Sequence, residues 1–279
     1  MSKPMPRNGR ELGSYDYLNW SMEDGVATVT MNRPPVNAVS QQMYRELAAA
    51  FAPGGPVAGS AKVVVLTGAG RHFCAGNDLG EFATLSPVNA AARMAEVRAA
   101  FFAIQDCPVP VIGAVRGAAL GTGLAIAASC DFVIAAEEAL FGTPEVSVGV
   151  MGGARHLARL VPEPWVRWMY LTAEPVSATQ LHQLGSLIAV VPEAELLETA
   201  LRHARLVSRH SGVILRMAKR ALGGIETMDL QPGYVFEQGL TGELSGTPDS
   251  AEARAATLER RHPRYPSELP HTSPVSHQG

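Results

Sequence analysis

The chain has 279 residues, 47% apolar and 18% charged, which is material for one large or two small globular domains with a full core. A net charge of −3 without a basic block argues against a nucleic-acid partner, and no acidic block marks a solvating tail. Apolar runs are broken by Gly, Pro or charge well short of the ~20 residues of a membrane span, and the opening "MSKPMPRNGRELGS" lacks the apolar region of a secretory signal.

Residues 1–14 read as a flexible leader. "YLNWSMEDGVATVTMNRP" alternates around Asp24-Gly25 and predicts a β-hairpin. "SQQMYRELAAAFA", residues 40–52, opens at a Ser N-cap and carries apolar residues at helical spacing. "KVVVLTG" reads as a buried strand, "RHFCAGND" as the loop after it, and residues 88–106 as an Ala-rich helix. "VPVIGAVRG" predicts a second buried strand, "AALGTGLAIAASC" a helix opened by Gly, and "DFVIAAE" another strand. Aliphatic strands alternating with helices predict an α/β fold with both sheet faces covered. From Pro164 the text becomes mostly helical, which places a domain junction there: a core at 15–163 and a helical region at 164–265. Residues 266–279, polar and Pro-rich, read as disordered.

Two Gly-rich loops, 74–79 and 117–123, each follow an aliphatic strand and precede a helix. Such loops leave backbone N–H groups unpaired at a helix start, where the local field favours negative charge. Two N–H groups aimed at one point make an oxyanion hole, and small residues let a carbonyl oxygen approach the backbone. "GAALGTG" is not a dinucleotide fingerprint, and no GK[ST] Walker loop occurs. Glu145, behind Pro144 in "ALFGTPEVSVGV", is one carboxylate in apolar text; it is either a surface turn residue or a proton shuttle with a raised pKa.

Cys74, Cys107 and Cys130 show no CxxC spacing and read as reduced core thiols of a cytoplasmic protein. The eight His are scattered, with no HExxH and no Cys/His cluster, so no metal site is expected. Trp165 and Trp168 read as a core stripe or an interface, and Asp249 and Glu252 as part of a helix start.

"MNRPPVNAVS", "FCAGNDL", "AVRGAALGTGLAIAASCDFVIAAEEALFGTPE", "ATQLHQLGSLIAVVP" and "ATLERRHPRY", in that order over about residues 18–265, resemble the crotonase (enoyl-CoA hydratase/isomerase) superfamily. The resemblance implies a spiral of ββα units followed by a helical C-terminal region that builds homotrimers, often paired into hexamers. It implies an acyl-CoA thioester as ligand, with CoA as part of the substrate and no further cofactor. Carried over, the oxyanion-hole donors are the N–H groups of Asn77 and Thr122. CoA would lie along Ala75, Gly76, Asp78 and Leu79 and near Asn37 and Ala38. Asp78 reads as a cap for the loop and helix amides ahead of a reacting group.

The sequence departs from the family's hydratases in three places. Of their two catalytic glutamates one matches Glu145, and the other falls at Ala125, which transfers no proton. Their Gly-Gly-Gly run is "GTG" here, and "VGVMGGARHL" is shorter than the corresponding hydratase loop that helps place water. A 1,3 proton shift needs one carboxylate, so isomerase or hydratase-type proton transfer by Glu145 is the first expectation. Hydrolysis of a C–C bond in a cyclic β-keto acyl-CoA is the second, with His72 or His156 as water assistants; "GGARHLARLVP" and "GYVFEQGLTGELSG" look similar to that group. A CoA-thioester-binding protein with little catalysis is the third. Residues 83–100 are expected to wall the acyl pocket.

Overall fold

The computed structural model describes residues 15–268 and the backbone of a short strand at 10–11. The chain divides into two compact units, between Ser208 and Arg209.

The first unit is built on a seven-stranded sheet in the order β1-β2-β3-β4-β5-β7-β10. β1 (Arg10–Glu11) pairs antiparallel with β2 (Leu18–Glu23), which forms the expected hairpin with β3 (Val26–Met31). α1 (Gln41–Phe51) starts where the Ser40 side chain accepts the Met43 N–H. β4 (Val63–Gly68) then pairs parallel with β3 and is buried along its whole length. Val64 and Leu66 enter the main hydrophobic cluster, while Val63 and Val65 are equally buried outside it. That is the signature of a strand covered on both faces, and it explains the unbroken aliphatic run "VVVL".

Four more segments follow. They are α2 (Leu79–Phe82), α3 (Ala90–Gln105), β5 (Val111–Val115) and β6 (Ala118–Leu120). α4 (Thr122–Ser129) is buried at every residue, and β7 (Phe132–Ala136) follows it beside β5. β8 (Leu140–Gly142) pairs parallel with β6 and leads into a 3₁₀ turn at Pro144–Val148. α5 (Ala154–Leu157), α6 (Glu163–Thr172), β9 (Val176–Ser177), α7 (Ala178–Gln183) and β10 (Ala189–Val191) complete the return path. α8 (Leu196–Ser208) closes the unit by packing across β3, β4, β5 and β7.

The repeat is a long strand in the large sheet, a short extended segment beside it, then a helix. β5–β6–α4 shows it in full. β3 and β4 repeat it in reduced form, because single bridges join Val39 to Asn77 and Cys74 to Ala119. With β6, β8 and β9 these bridges make a second, small ladder.

The second unit holds α9 (Gly212–Ile225), α10 (Leu230–Ser245) and α11 (Pro248–Leu258). Asp249 lies in the first turn of α11, as expected, and is buried. Its carboxylate accepts the Ser211 hydroxyl, the Ser267 N–H at 3.1 Å and the Ser267 hydroxyl at 2.5 Å. Glu252 accepts from the Arg261 guanidinium and from the Arg264 N–H at 2.6 Å.

Three expectations are corrected. Residues 118–120 are a strand rather than the start of a helix, because Cys74 and β8 pair with them on either side. The division lies at Ser208 rather than near Pro164, because β9 pairs with β8 and β10 with β7, tying residues 164–208 to the first unit. Pro266–Glu268 is an ordered 3₁₀ turn, held by Asp249 and by the Gly212 N–H on Glu268 Oε1 at 3.1 Å. The expected leader contains the ordered strand β1; its remainder and residues 269–279 lie outside the described residues.

Candidate active site

A cleft of about 690 Å³ opens in the first unit over the small ladder. Arg33, Pro35, Val36 and Ala38 form one side. Ala75 to Leu79 with Gly121 and Thr122 line it too, as do Pro144, Glu145, Val148 and Val150. Eight of the nine residues singled out from the sequence as site residues therefore line one cavity.

The base of the cleft is held by backbone pairing. Ala75 N–H donates to Val36 O at 3.0 Å, and Leu120 N–H donates to Cys74 O at 3.0 Å. Val39 N–H donates to Gly76 O and Asp78 N–H to Val39 O, so the ladder steps over the Asn77 N–H. Thr122 is the first residue of α4, where an N–H has no intrahelical acceptor. Among the described residues neither the Asn77 nor the Thr122 N–H has a partner within the chain. Gly123 permits the close approach of α4 to the first loop: a Cβ there would stand 2.0 Å from Cys74 O.

Tyr44, on α1, joins the two loops from behind. Its hydroxyl donates to Asn77 Oδ1 at 2.5 Å and lies 2.8 Å from Thr122 Oγ1. The ring is buried edge-on against Phe101, centroids 6.0 Å apart, and burial pushes its pKa well above the usual phenol range.

Glu145 is only 8% exposed, and its Oε2 is buried without a hydrogen-bond partner. Burial raises the carboxyl pKa, opposed in part by a bond from its own backbone N–H. The carboxylate sits between two glycines: a Cβ on Gly153 would lie 2.9 Å from Oε1, and one on Gly121 3.4 Å. A side chain at Gly153 would crowd the acid, and one at Gly121 would touch it.

Asp78 is the N-cap of α2, accepting the Glu81 N–H at 3.0 Å. Arg33 meets the same carboxylate at 2.5 Å, donates to Ala38 O at 3.0 Å, and stacks over Tyr17. The Glu81 N–H, then the Arg33 guanidinium, hold the Asp78 carboxyl below its ordinary pKa. Asn37 is the site residue that does not line the cleft. It is buried, with Nδ2 donating to Ala69 O and His72 O and Oδ1 accepting the Arg33 N–H, so its side chain ties loops together behind the wall.

Other expected participants stand elsewhere. His72 Nδ1 accepts the Ala118 N–H at 3.1 Å, and His156 packs edge-on to Phe101; neither ring lines the cleft. Ala125 is buried inside α4, and no carboxylate but Glu145 and Asp78 lines the cleft among the described residues. No residue of 83–100 lines it either; Arg93, Met94 and Val97 of α3 instead line, with Asn77 and Asp78, a separate cavity of about 20 Å³. Burial pushes the Cys74 thiol up to about 12, so it is not a nucleophile at neutral pH. Among the described residues no His, Cys, Asp or Glu cluster could hold a metal, and no helix is long and apolar enough to cross a membrane. Trp165 packs against the core, and Trp168, 5.7 Å away, is half exposed.

Arg33 and Tyr44 were the residues sequence reasoning missed. Arg33 stands in the quoted "MNRPPVNAVS", but nothing local marks it as the partner of Asp78.

Residues 21–268 match the family model described as Enoyl-CoA hydratase/isomerase. A Rhodococcus jostii (strain RHA1) protein named (7aS)-7a-methyl-1,5-dioxo-2,3,5,6,7,7a-hexahydro-1H-indene-carboxyl-CoA hydrolase is 39% identical over 242 residues, 86% of this chain and 93% of its own. The 2,3-dehydroadipyl-CoA hydratase of Escherichia coli (strain K12) is 37% identical, covering 88% of this chain and 96% of its own. A solved enoyl-CoA hydratase subunit I of Geobacillus kaustophilus HTA426 superposes with a TM-score of 0.83 at 33% identity, over 91% of this chain and 99% of that one.

Proposed function

Because the chain belongs to the enoyl-CoA hydratase/isomerase (crotonase) family, we propose that it binds an acyl-CoA thioester with the carbonyl oxygen between the N–H groups of Asn77 and Thr122, and moves protons with Glu145 alone. One observation carries this reading. A buried carboxylate with an unpartnered oxygen lines the same cleft as two unpartnered N–H groups.

The chemistry follows from charge. Removing a proton from the carbon next to a thioester puts negative charge on the carbonyl oxygen. Two fixed donors, one at the start of a buried helix, stabilise that charge without reorganisation. Glu145 is a stronger base than a solvated carboxylate because its ionised form is poorly solvated. In a 1,3 shift it takes a proton from Cα of a 3-enoyl thioester and returns it at Cγ, so one C–H bond breaks and one forms. Hydration also requires a held water, and Ala125 offers no second carboxylate for that task. No further cofactor is required by this chemistry.

A second reading is favoured by the R. jostii relative, which is named as a hydrolase of a dioxo-hexahydroindene-carboxyl-CoA, a CoA compound with ring oxo groups. Water adds to the ring ketone, the C–C bond breaks, and the leaving carbon is the thioester enolate, held by the same two N–H groups and then protonated. The deciding experiment offers 2-enoyl, 3-enoyl and cyclic β-keto acyl-CoAs to the wild type and to Glu145→Gln. Isomerisation lost in the variant supports the first reading, and ring opening without isomerisation supports the second. Binding of thioesters with no turnover would leave a binding protein.

We also infer a trimer or hexamer and a cytoplasmic setting. Leu222, Leu230, Tyr234 and Val235 on α9 and α10 are exposed apolar side chains suited to a subunit contact, and three buried free thiols suit a reducing compartment.

A further inference from the structure

We propose that the side-chain amide of Asn77 is a third donor in the carbonyl cradle, oriented by Tyr44, and that it selects acyl-CoA thioesters bearing an oxygen on Cβ. The inference rests on the thioester-binding reading above and belongs with its ring-ketone form, since a 3-enoyl thioester has no oxygen on Cβ.

The Tyr44 hydroxyl has a single hydrogen. It gives that hydrogen to Asn77 Oδ1 at 2.5 Å, so at Thr122 Oγ1, 2.8 Å away, it accepts. The ring is 3% exposed and packed edge-on to Phe101, which fixes where the hydroxyl stands. The amide oxygen of Asn77 therefore faces the protein, and the NH₂ group takes the other side. Among the described residues Asn77 Nδ2 has no acceptor, yet it is absent from the buried polar atoms without partners. Asn77 lines the cleft and, with Tyr44, the small cavity beside it, so its side chain stands where the two spaces meet and its two amide hydrogens are free for a ligand that reaches past the backbone N–H of the same residue.

A β-oxo thioester in its syn form carries two oxygens on one side, and its enolate shares negative charge between them. With the thioester oxygen on the backbone N–H pair, the second oxygen lies next to Asn77, where Nδ2 is the donor at hand. Hydrogen bonds to charged acceptors are the stronger class. A saturated acyl chain has no acceptor at that carbon and leaves Nδ2 to water.

The test is calorimetric binding of acetoacetyl-CoA and butanoyl-CoA to the wild type, Asn77→Ala and Asn77→Asp. Both ligands share CoA and the thioester carbonyl, so a general change in the cradle cancels in the ratio of their affinities. The wild type is expected to favour acetoacetyl-CoA by about 10-fold or more. Asn77→Ala should bring the ratio to near one. Asn77→Asp keeps an oxygen for Tyr44 but replaces the donor with an acceptor, and should push the ratio below one. A wild-type ratio near one, or a ratio unchanged in both variants, overturns the proposal while leaving the thioester reading standing. A wild type that binds neither ligand sinks that reading, and this proposal with it.

Discussion

The Tyr44 hydroxyl lies 2.8 Å from Thr122 Oγ1, across 78 positions of sequence, and the same hydroxyl holds Asn77 Oδ1. The two loops proposed to grip the thioester oxygen are thus fastened by one buried phenol. Tyr44→Phe keeps the ring against Phe101 and removes only this fastening. One buried and one part-buried hydrogen bond are lost, so unfolding free energy should fall by about 1–3 kcal/mol. If the bridge orders the N–H pair, kcat should fall roughly 10–100-fold while thioester affinity changes less, since a whole oxyanion-hole donor is worth 10²–10³. A lower Tm with unchanged kcat would show that the bridge serves folding alone.

Glu145→Gln separates the cost of the acid from its use. The variant should lose on the order of 10²–10⁴ of the proton-transfer rate and keep thioester binding. Its stability should move the other way. The folded-state pKa of Glu145 lies above the ordinary carboxylate value, so the folded protein binds more protons than the unfolded chain in the window between them. Wild-type stability therefore falls as pH rises through that window. Glu145→Gln should have the higher Tm at neutral pH, and the gain should vanish below about pH 4, where unfolded glutamate is also protonated. Since a base must be ionised, kcat/KM for isomerisation should rise with pH through the raised pKa.

Much of this site is legible in the sequence because its parts are local. Ser40, the Asp24-Gly25 turn, the two Gly-rich loops and Glu145 behind Pro144 all carry their signals within a few residues. What stayed hidden depends on partners far along the chain. Tyr44 sits among Met43, Leu47 and Phe51 at core spacing, and its hydroxyl acquires meaning only when Asn77 and Thr122 arrive. Ala118–Leu120 is Ala-rich text with no strand signature, made extended by Cys74 and Leu140–Gly142. His72 looked free to react until the Ala118 N–H filled its Nδ1. β9 and β10, two and three residues long, are too short for a period-2 pattern, which is why the junction was expected near Pro164.

Asp78 does two things, and two variants tell them apart. Asparagine caps helices as well as aspartate, so Asp78→Asn keeps the bond to the Glu81 N–H and loses the ion pair with Arg33. Asp78→Ala loses both, at about 1 kcal/mol for the cap alone. The pair is partly exposed, so its own contribution is modest and weakens with salt. Because the folded pKa of Asp78 is depressed, its contribution is present at neutral pH and is lost as pH falls from the ordinary aspartate range through the lowered value. Thioester KM should rise more in Asp78→Ala than in Asp78→Asn if the cap shapes the loop; equal rises in the two would assign the effect to the Arg33 pair.

Gly153 tests whether Glu145 works from the position it occupies. Its φ is +77°, and an added Cβ would meet Glu145 Oε1 at 2.9 Å. Gly149, with φ +71°, has nothing within 4 Å of an added Cβ. Alanine is strained at both positions, more so at Gly153, whose ψ of −26° is further from the left-handed well than the 30° of Gly149, and only Gly153→Ala pushes on the carboxylate. Gly149→Ala should lose some Tm, and Gly153→Ala more. Gly153→Ala should in addition lose roughly 10–100-fold in kcat, because a displacement of the base by about 1 Å is costly to a proton transfer. Equal kcat in the two alanine variants would mean that Glu145 does not act from beside Gly153, and the role given to its buried carboxylate would have to be reassigned.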